Sequence, residues 1–493
     1  MDHVISAPCR LLAGMATLLL LTGCASSLNR PYQSPATQLP ARYSYDSSSA
    51  AKESPASSDA WWKNFNDPEL DRLIAQALLR NNNLAAATLR VRRAQLQAGL
   101  ADQQLRPQFS GNANVGASRR LESNTASTRS NSVNLGASFE LDLWNKLGSQ
   151  RDLARWEALA TAQDRESTAL TLVATTAQLY WRLGFLNQRL ASNALSIAYA
   201  RTTFDLVQTQ YRAGAVSGLE VAEARQALAS QQASQAQLQQ QAVEAVTALA
   251  LLFDTAPGNF RADSSMPPGE LPAGSTPLSS AVWRLPQSLP DTTLPGVDAG
   301  LPVQLLGRRP DLRAAELRVR ESFTRIDATR ASYYPALTLT GSLGSSSTAL
   351  LQVLQNPVAS LGLGLSLPFL QRTQMKLNIQ VSEAQYDEAV VNFRQTLYSA
   401  LGDVDNALSG RQQFARQAER LAESLAAARQ AERLYEVRYR AGAAPLKAWL
   451  DAQEKRRSAE IAVADNRLSR LNNHVGLYQA LGGDAVPLPG AAR

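Results

Sequence analysis

The chain has 493 residues, with 49 Lys and Arg against 42 Asp and Glu and a formal net charge of +7. Because the basic residues are interspersed with acidic ones, this composition argues against nucleic-acid binding. With 2 histidines, 2 cysteines and no Gly-x-Ser-x-Gly motif, the sequence excludes a disulfide framework and a Cys/His metal cluster, and it predicts neither enzymatic activity nor a cofactor.

The N-terminus has the pattern of an export signal. Arg10 precedes an apolar run, Leu11–Leu21, which is too short to cross a bilayer as a helix. The run ends in Leu-Thr-Gly-Cys, which resembles the bacterial lipobox. It predicts a signal peptide over 1–23 and a diacylglycerol- and palmitate-modified Cys24. The alternative is a plain secretory signal with an incidental cysteine.

A serine-rich tether is predicted over 24–60. Ala25 and Ser26 follow Cys24, where an inner-membrane lipoprotein usually has aspartate, so the lipobox resemblance implies sorting to the outer membrane. No later segment offers about 18 uncharged apolar residues. We therefore expect any membrane-crossing part of the chain to be a closed set of strands.

The next elements alternate between helix and strand. A helical pattern over 68–106 changes to period 2 at Pro107, and alternating apolar and small polar residues predict a strand hairpin over 107–144. The proline-free stretch Lys146–Arg212 then predicts a helix of about 100 Å. Its apolar residues recur every seven residues, a heptad spacing that indicates coiled-coil packing.

The pentapeptide YRAGA ends this long helix and occurs a second time in the chain. Its copies, Tyr211–Ala215 and Tyr439–Ala443, start 439 − 211 = 228 residues apart. In each copy the glycine, Gly214 or Gly442, stands where a helix C-cap needs a left-handed residue. The sequence therefore predicts two turns of one kind, each at the far tip of a helical hairpin, over 211–218 and 439–446.

The same spacing relates other parts of the chain. Leu89-Arg90-Val91-Arg92 recurs as Leu317-Arg318-Val319-Arg320, and Pro107 recurs as Pro335. The pattern predicts an internal duplication: a first repeat over 61–257, a Pro/Gly-rich crossing over 258–302, a second repeat over 303–484 and a tail over 485–493. The second repeat has its own helix over 310–332 and its own strand hairpin over 335–370.

Four strands of about ten residues, each with one apolar and one small polar face, are typical of an outer-membrane barrel. A soluble sandwich edge is the alternative. Four strands cannot close, and lipid penalises unpaired edges. Two copies would give an eight-stranded barrel, whose interior is filled by side chains. Three copies would give a twelve-stranded barrel, which begins to leave a lumen. The strand count therefore favours a homotrimer.

Several motifs together resemble the TolC/OprM family of outer-membrane efflux channels, in its NodT-type lipoprotein branch. They are Arg308-Arg309-Pro310-Asp311 with Ala315-Glu316, Tyr334-Pro335 at a strand entry, Glu140-Leu141-Asp142-Leu143-Trp144 at a strand exit, and the two tyrosine–glycine tips. The resemblance covers nearly all of the mature chain. It implies an α+β membrane protein: a TolC-like trimer with a twelve-stranded barrel, a periplasmic α-helical coiled-coil barrel and an equatorial domain.

The resemblance also implies a function. Such a channel is the exit duct of a tripartite pump, and a periplasmic adaptor (membrane fusion) protein joins it to an inner-membrane transporter of the resistance-nodulation-division (RND) type. The expected cargo is small molecules such as drugs. Heavy-metal efflux and type I protein secretion are the alternatives within this class, and a periplasmic adaptor lipoprotein is the alternative outside it.

Two groups of residues acquire expected roles from the family pattern. The adaptor-docking tips fall on Gly214, Ala215, Val216 and Ser217 and on Gly442, Ala443, Ala444 and Pro445. The periplasmic gate falls on Tyr439 and Asp451, with Lys447 as a replacement partner. The chain departs from the gate pattern at Ala448, where the family has a second aspartate, and at Ala444, where it has a basic residue.

Overall fold

The computed structural model describes most of both predicted repeats, namely residues 31–45, 60–119, 127–256, 262–263, 283–291, 294–297, 300 and 302–483. Cys24, the signal peptide over 1–23 and the tail over 485–493 lie outside these residues, as do parts of the tether and of the crossing. In the described part of the chain, none of the helices is both long enough and apolar enough to span a membrane.

The long helices lie where the sequence predicts helical segments, and one short helix, Leu305–Arg308, was not predicted. The helices are α1 (Pro68–Arg80), α2 (Asn82–Gln103), α3 (Lys146–Arg212), α4 (Gly218–Leu252), α5 (Leu305–Arg308), α6 (Pro310–Ala331), α7 (Arg372–Arg440) and α8 (Leu446–Ala480). The helical pattern predicted over 68–106 forms two helices, α1 and α2, because the chain breaks at Asn81. Its backbone is extended at ψ 123°, and its side-chain oxygen accepts the Leu84 N–H at 3.1 Å, which starts α2.

The long strands are β1 (Gln108–Ser118), β2 (Thr128–Leu141), β3 (Ala336–Ser347) and β4 (Val358–Ser366). They form one antiparallel sheet in the order β1-β2-β3-β4, so β2 and β3 join the two hairpins. The second hairpin, predicted over 335–370, has its last strand residue at Ser366. Pro368, which has no N–H to donate to a ladder, begins a short 3-10 turn instead.

The chain divides into two compact units. Among the described residues, the sheet unit comprises 31–38, 88–119, 127–164 and 311–396, and the hairpin unit comprises 39–45, 60–87, the described parts of 165–310, and 397–483. The hairpin unit holds a core rich in aromatic residues, in which Trp61 stacks on Tyr478 with ring centroids 4.8 Å apart. His474 lies edge-on to the same Tyr478 ring and is 3% exposed.

Apolar side chains of the sheet lie opposite one another in register. Leu135 pairs with Leu343, Leu339 with Leu363 and Leu337 with Leu365. Directly opposed residues share a face. All of these leucines except the partly buried Leu337 are exposed, and the β4 residue Leu361 is 81% exposed. The sheet unit therefore presents leucines that nothing in the described chain covers.

The sheet-to-helix junction explains two of the sequence motifs in the sheet unit. Asp142 accepts the N–H groups of Leu147 and Gly148 at 3.1 and 2.7 Å, so it satisfies donors at the start of α3. Trp144 donates its indole N–H to the Pro335 carbonyl at 2.8 Å and stacks on Tyr334. Both predicted strand-entry prolines, Pro107 and Pro335, come one residue before a strand.

Candidate functional site

The first tip, between α3 and α4, has a defined hydrogen-bonded geometry. Gly214 has φ +74°, its N–H donates to the Tyr211 carbonyl at 2.9 Å, and the Ala215 N–H donates to the Gln210 carbonyl at 2.9 Å. This pair of bonds is a Schellman C-cap. Ser217 then starts α4 through a capping box with Glu220.

The second tip, between α7 and α8, repeats the C-cap. Gly442 has φ +71°, and the N–H groups of Gly442 and Ala443 donate to the carbonyls of Tyr439 and Arg438 at 2.9 and 2.8 Å. The prediction of left-handed glycines is therefore confirmed at both tips. Their helix starts differ, because the N-cap residue of α8, Pro445, makes no side-chain capping bond.

The two tips are joined by a small buried cluster within the hairpin unit. We call it the tip cluster; its fully buried members are Val207, Ala224, Leu446 and Trp449. Trp449 is 3% exposed, stacks on Tyr439 at 5.2 Å between centroids and meets the Tyr199 ring edge-on at 6.0 Å. The cluster draws residues from all four long helices, so it fixes one tip against the other.

Tyr439 links the hairpins by a polar contact as well. Its hydroxyl donates to the Gln210 side-chain oxygen at 3.1 Å. Burial raises the pKa of Tyr439, and the negative charge of Glu220 raises it further. The phenol therefore keeps the proton that this hydrogen bond requires at neutral pH.

The other two predicted gate residues lie apart from this contact. Lys447 Nζ is 3.4 Å from Asp451 Oδ1, with side chains 67% and 56% exposed. Among the described residues, no hydrogen bond or ion pair joins either of them to Tyr439. Exposed pairs of this kind contribute about 0–1 kcal/mol. The expected replacement pair thus forms, but solvent screens it.

Sequence reasoning missed the partners of Tyr439. Gln210 immediately precedes the first YRAGA, at the position that Arg438 holds before the second. A comparison of the two copies would have marked this difference. Tyr211, the counterpart of Tyr439, is 51% exposed and is not part of the tip cluster. Identical pentapeptides therefore place their tyrosines in different environments.

The comparisons with known proteins agree on one class. The sequence model of the family described as outer membrane efflux protein matches residues 73–253 and 301–483. The pyoverdine export outer membrane protein OpmQ of Pseudomonas aeruginosa is 32% identical over 477 residues, 94% of this chain and 95% of that protein. The cation efflux system protein CusC of Escherichia coli K12 is 30% identical over 487 residues, 97% of this chain and 99% of that protein.

A solved structure shows the same fold. The outer-membrane channel OprN matches with a TM-score of 0.78 at 26% identity, covering 93% of this chain and 99% of that chain. A four-stranded sheet combined with two long helical hairpins thus defines an outer-membrane efflux channel of the TolC-like fold. The chain belongs to the outer membrane efflux protein family, whose members are transport channels and not enzymes.

Proposed function

We propose that the protein is the exit duct of a tripartite efflux pump and works as a homotrimer in the outer membrane. The observation that carries this proposal is the strand order β1-β2-β3-β4, which leaves β1 and β4 as unpaired edges. In lipid, unpaired backbone groups cost several kcal/mol each. Pairing β4 of one copy with β1 of the next, around a three-fold axis, gives a closed twelve-stranded barrel without edges.

The exposed leucines support this placement in the membrane. Leu135, Leu361 and Leu363 are between 58% and 81% exposed on their strands. Water would penalise such a surface at roughly 25 cal/mol per Å² of apolar area, whereas hydrocarbon would not. A diacylglycerol- and palmitate-modified Cys24 would anchor the chain to the same membrane, with the hairpin unit in the periplasm.

The tips are the proposed docking site for a periplasmic adaptor protein, which would connect the channel to an RND-type inner-membrane transporter. Small side chains dominate both turns, at Gly214, Ala215, Gly442, Ala443 and Ala444. They let a partner helix approach the backbone closely. Both turns are also exposed at their glycines.

We place the closed state of the periplasmic gate in the tip cluster. Tyr439 contributes through Trp449 and Gln210, and Lys447 with Asp451 adds a weak surface pair. Adaptor binding would favour an arrangement in which these contacts are broken. Opening is then a population shift between two packings of the tips.

An internal duplication, with repeats over 61–257 and 303–484 around a crossing over 258–302, accounts for the paired architecture. It is supported by the two segments that match the family, since these begin at residues 73 and 301. That spacing equals the spacing of the two YRAGA copies.

The proposed duct is tested by its oligomeric state and its electrical conductance. The full-length protein is purified in detergent, its mass is determined, and its conductance is recorded across a planar bilayer with and without Trp449→Ala. We expect a trimer with a small conductance that rises in the variant. A single subunit that passes no ions in either form would refute the duct.

The cargo is proposed to be small organic molecules such as drugs. The susceptibility of a deletion strain to toxic compounds, measured with and without complementation by this gene, distinguishes this proposal from its alternatives. Rescue of resistance to organic toxicants supports it, whereas rescue limited to heavy-metal ions or to secretion of a protein would replace it. A photo-crosslinker at Ala215 or Ala443 identifies the adaptor in the same cells.

A further inference from the structure

A polar cavity of about 380 Å³ lies between α3, α4, α7 and α8, and none of its lining residues belongs to the tip cluster. All of its lining residues belong to the hairpin unit. Its volume falls within the range of about 300–1,000 Å³ that is usual for small-molecule sites. The proposed duct and gate make no use of it.

Arginines dominate the charged lining of this cavity. Arg189, Arg429, Arg457 and Arg467 line it, together with two carboxylates. Both carboxylates are already paired: Glu460 lies 3.2 Å from Arg429, and Glu454 lies 2.6 Å from Arg457. Arg467 pairs with Asp291 outside the lining. No lining carboxylate therefore remains for Arg189.

Arg189 is half-buried, and within the described residues its guanidinium makes no ion pair or hydrogen bond. Its Cζ lies 5.6 Å from the Phe185 ring centroid, a contact that holds the side chain but supplies no acceptor. The hydroxyls of Ser192, Ser230 and Ser234 also line the cavity and make no hydrogen bond to described residues. Guanidinium and hydroxyl donors that make no hydrogen bond within the described chain thus face one partly open cavity.

Unpaired, partly desolvated cations are unfavourable, and guanidinium matches carboxylate and phosphate oxygens in a bidentate geometry. Serine hydroxyls add neutral donors to the same acceptors. We propose that this cavity binds a small polyanion, a molecule with at least two carboxylate or phosphate groups. Arg189 is its principal contact. The proposal does not depend on the channel function, because binding is measured on the purified protein.

The experiment titrates the full-length protein in detergent with citrate, and separately with pyrophosphate, by calorimetry in low-salt buffer. Low salt is needed because mobile ions screen exposed charges. We expect saturable binding that weakens about tenfold or more in Arg189→Gln, the loss of a charge-assisted contact. The matched control is Arg420→Gln, which removes an arginine that is 74% exposed on α7 and paired with Glu423.

Each outcome decides the proposal. Binding of citrate alone assigns a polycarboxylate, and binding of pyrophosphate alone assigns a phosphate compound. No binding of either anion, or equal weakening by Arg189→Gln and Arg420→Gln, overturns the site. If Arg189→Gln lowers the melting temperature, the anion titration is repeated on a double variant that combines Ser192→Ala with Ser230→Ala. Weaker binding in that variant supports the cavity, and unchanged binding refutes it.

Discussion

The identical YRAGA copies provide an internal control for the proposed gate, because Tyr439 is packed in the tip cluster while Tyr211 is 51% exposed. Tyr439→Ala removes the stacking on Trp449 and the hydrogen bond to Gln210. An aromatic pair contributes about 0.5–1.5 kcal/mol, and a hydrogen bond about the same. We therefore expect the closed tips to lose about 1–3 kcal/mol, a factor of about 5–150 in the open population.

The assay combines amide hydrogen exchange of the tip segments with single-channel conductance. Tyr439→Ala should exchange faster around both tips and conduct more, since the cluster holds the two tips together. Tyr211→Ala should change the free energy of the tips by less than about 0.5 kcal/mol, as surface substitutions usually do. Tyr439→Phe, which keeps the ring, should lie in between. Equal effects of the two alanine variants would show that the cluster does not close the tips.

Three further predictions concern stability. Burial lowers the pKa of His474 to about 4 from 6.5, with a smaller effect from the positive charge of Arg411, so the unfolded chain binds the proton more tightly. The contribution of neutral His474 to the free energy of unfolding is fully present above pH 6.5 and falls by up to about 3 kcal/mol as the pH drops to 4. Denaturant titrations across this pH range should show a smaller loss of stability for His474→Gln. Gly442→Ala should lower the free energy of unfolding by about 1–2 kcal/mol through its left-handed φ alone, because an added Cβ meets nothing within 4 Å. Gly482→Ala should lower it more, because its Cβ would lie 2.8 Å from the Arg308 backbone. The melting temperatures of the two variants test this order. Asp142→Ala should lower the free energy of unfolding by about 1 kcal/mol through the lost cap of α3, and a drop no larger than that of an exposed α3 substitution would contradict the capping role.

Much of the fold could be predicted because the relevant signals are local. The boundaries of α3, Lys146 and Arg212, follow from a proline-free run and a glycine C-cap, and both glycines have the expected positive φ. The strand alternation in 337–343 likewise predicts one face of β3. Asn81 escaped prediction because its side chain caps the next helix, a choice that helical periodicity does not reveal.

The site was harder to predict than the scaffold. Tyr439, and not Tyr211, is packed because of two residues that lie outside its own copy of YRAGA. They are Trp449, ten residues beyond Tyr439 and across a turn, and Gln210 in the other hairpin. The pairing of Lys447 with Asp451 was accessible from their i,i+4 spacing, but their exposure was not. The arginine-lined cavity was also missed, because its residues come from four helices.

By itself, the sequence determined the elements of this protein: the two strand hairpins, the long helices, the glycine turns and the membership of an efflux-channel family that its motifs imply. Each of these depends on periodicity, caps or short motifs, which act over a few residues. Only the tertiary structure decided which copy of a repeated motif is packed, which charges are screened, and that Arg189 in the cavity has no ion-pair partner among the described residues. Those properties depend on side chains distant in sequence that come within a few ångströms, where burial and pairing set their energies.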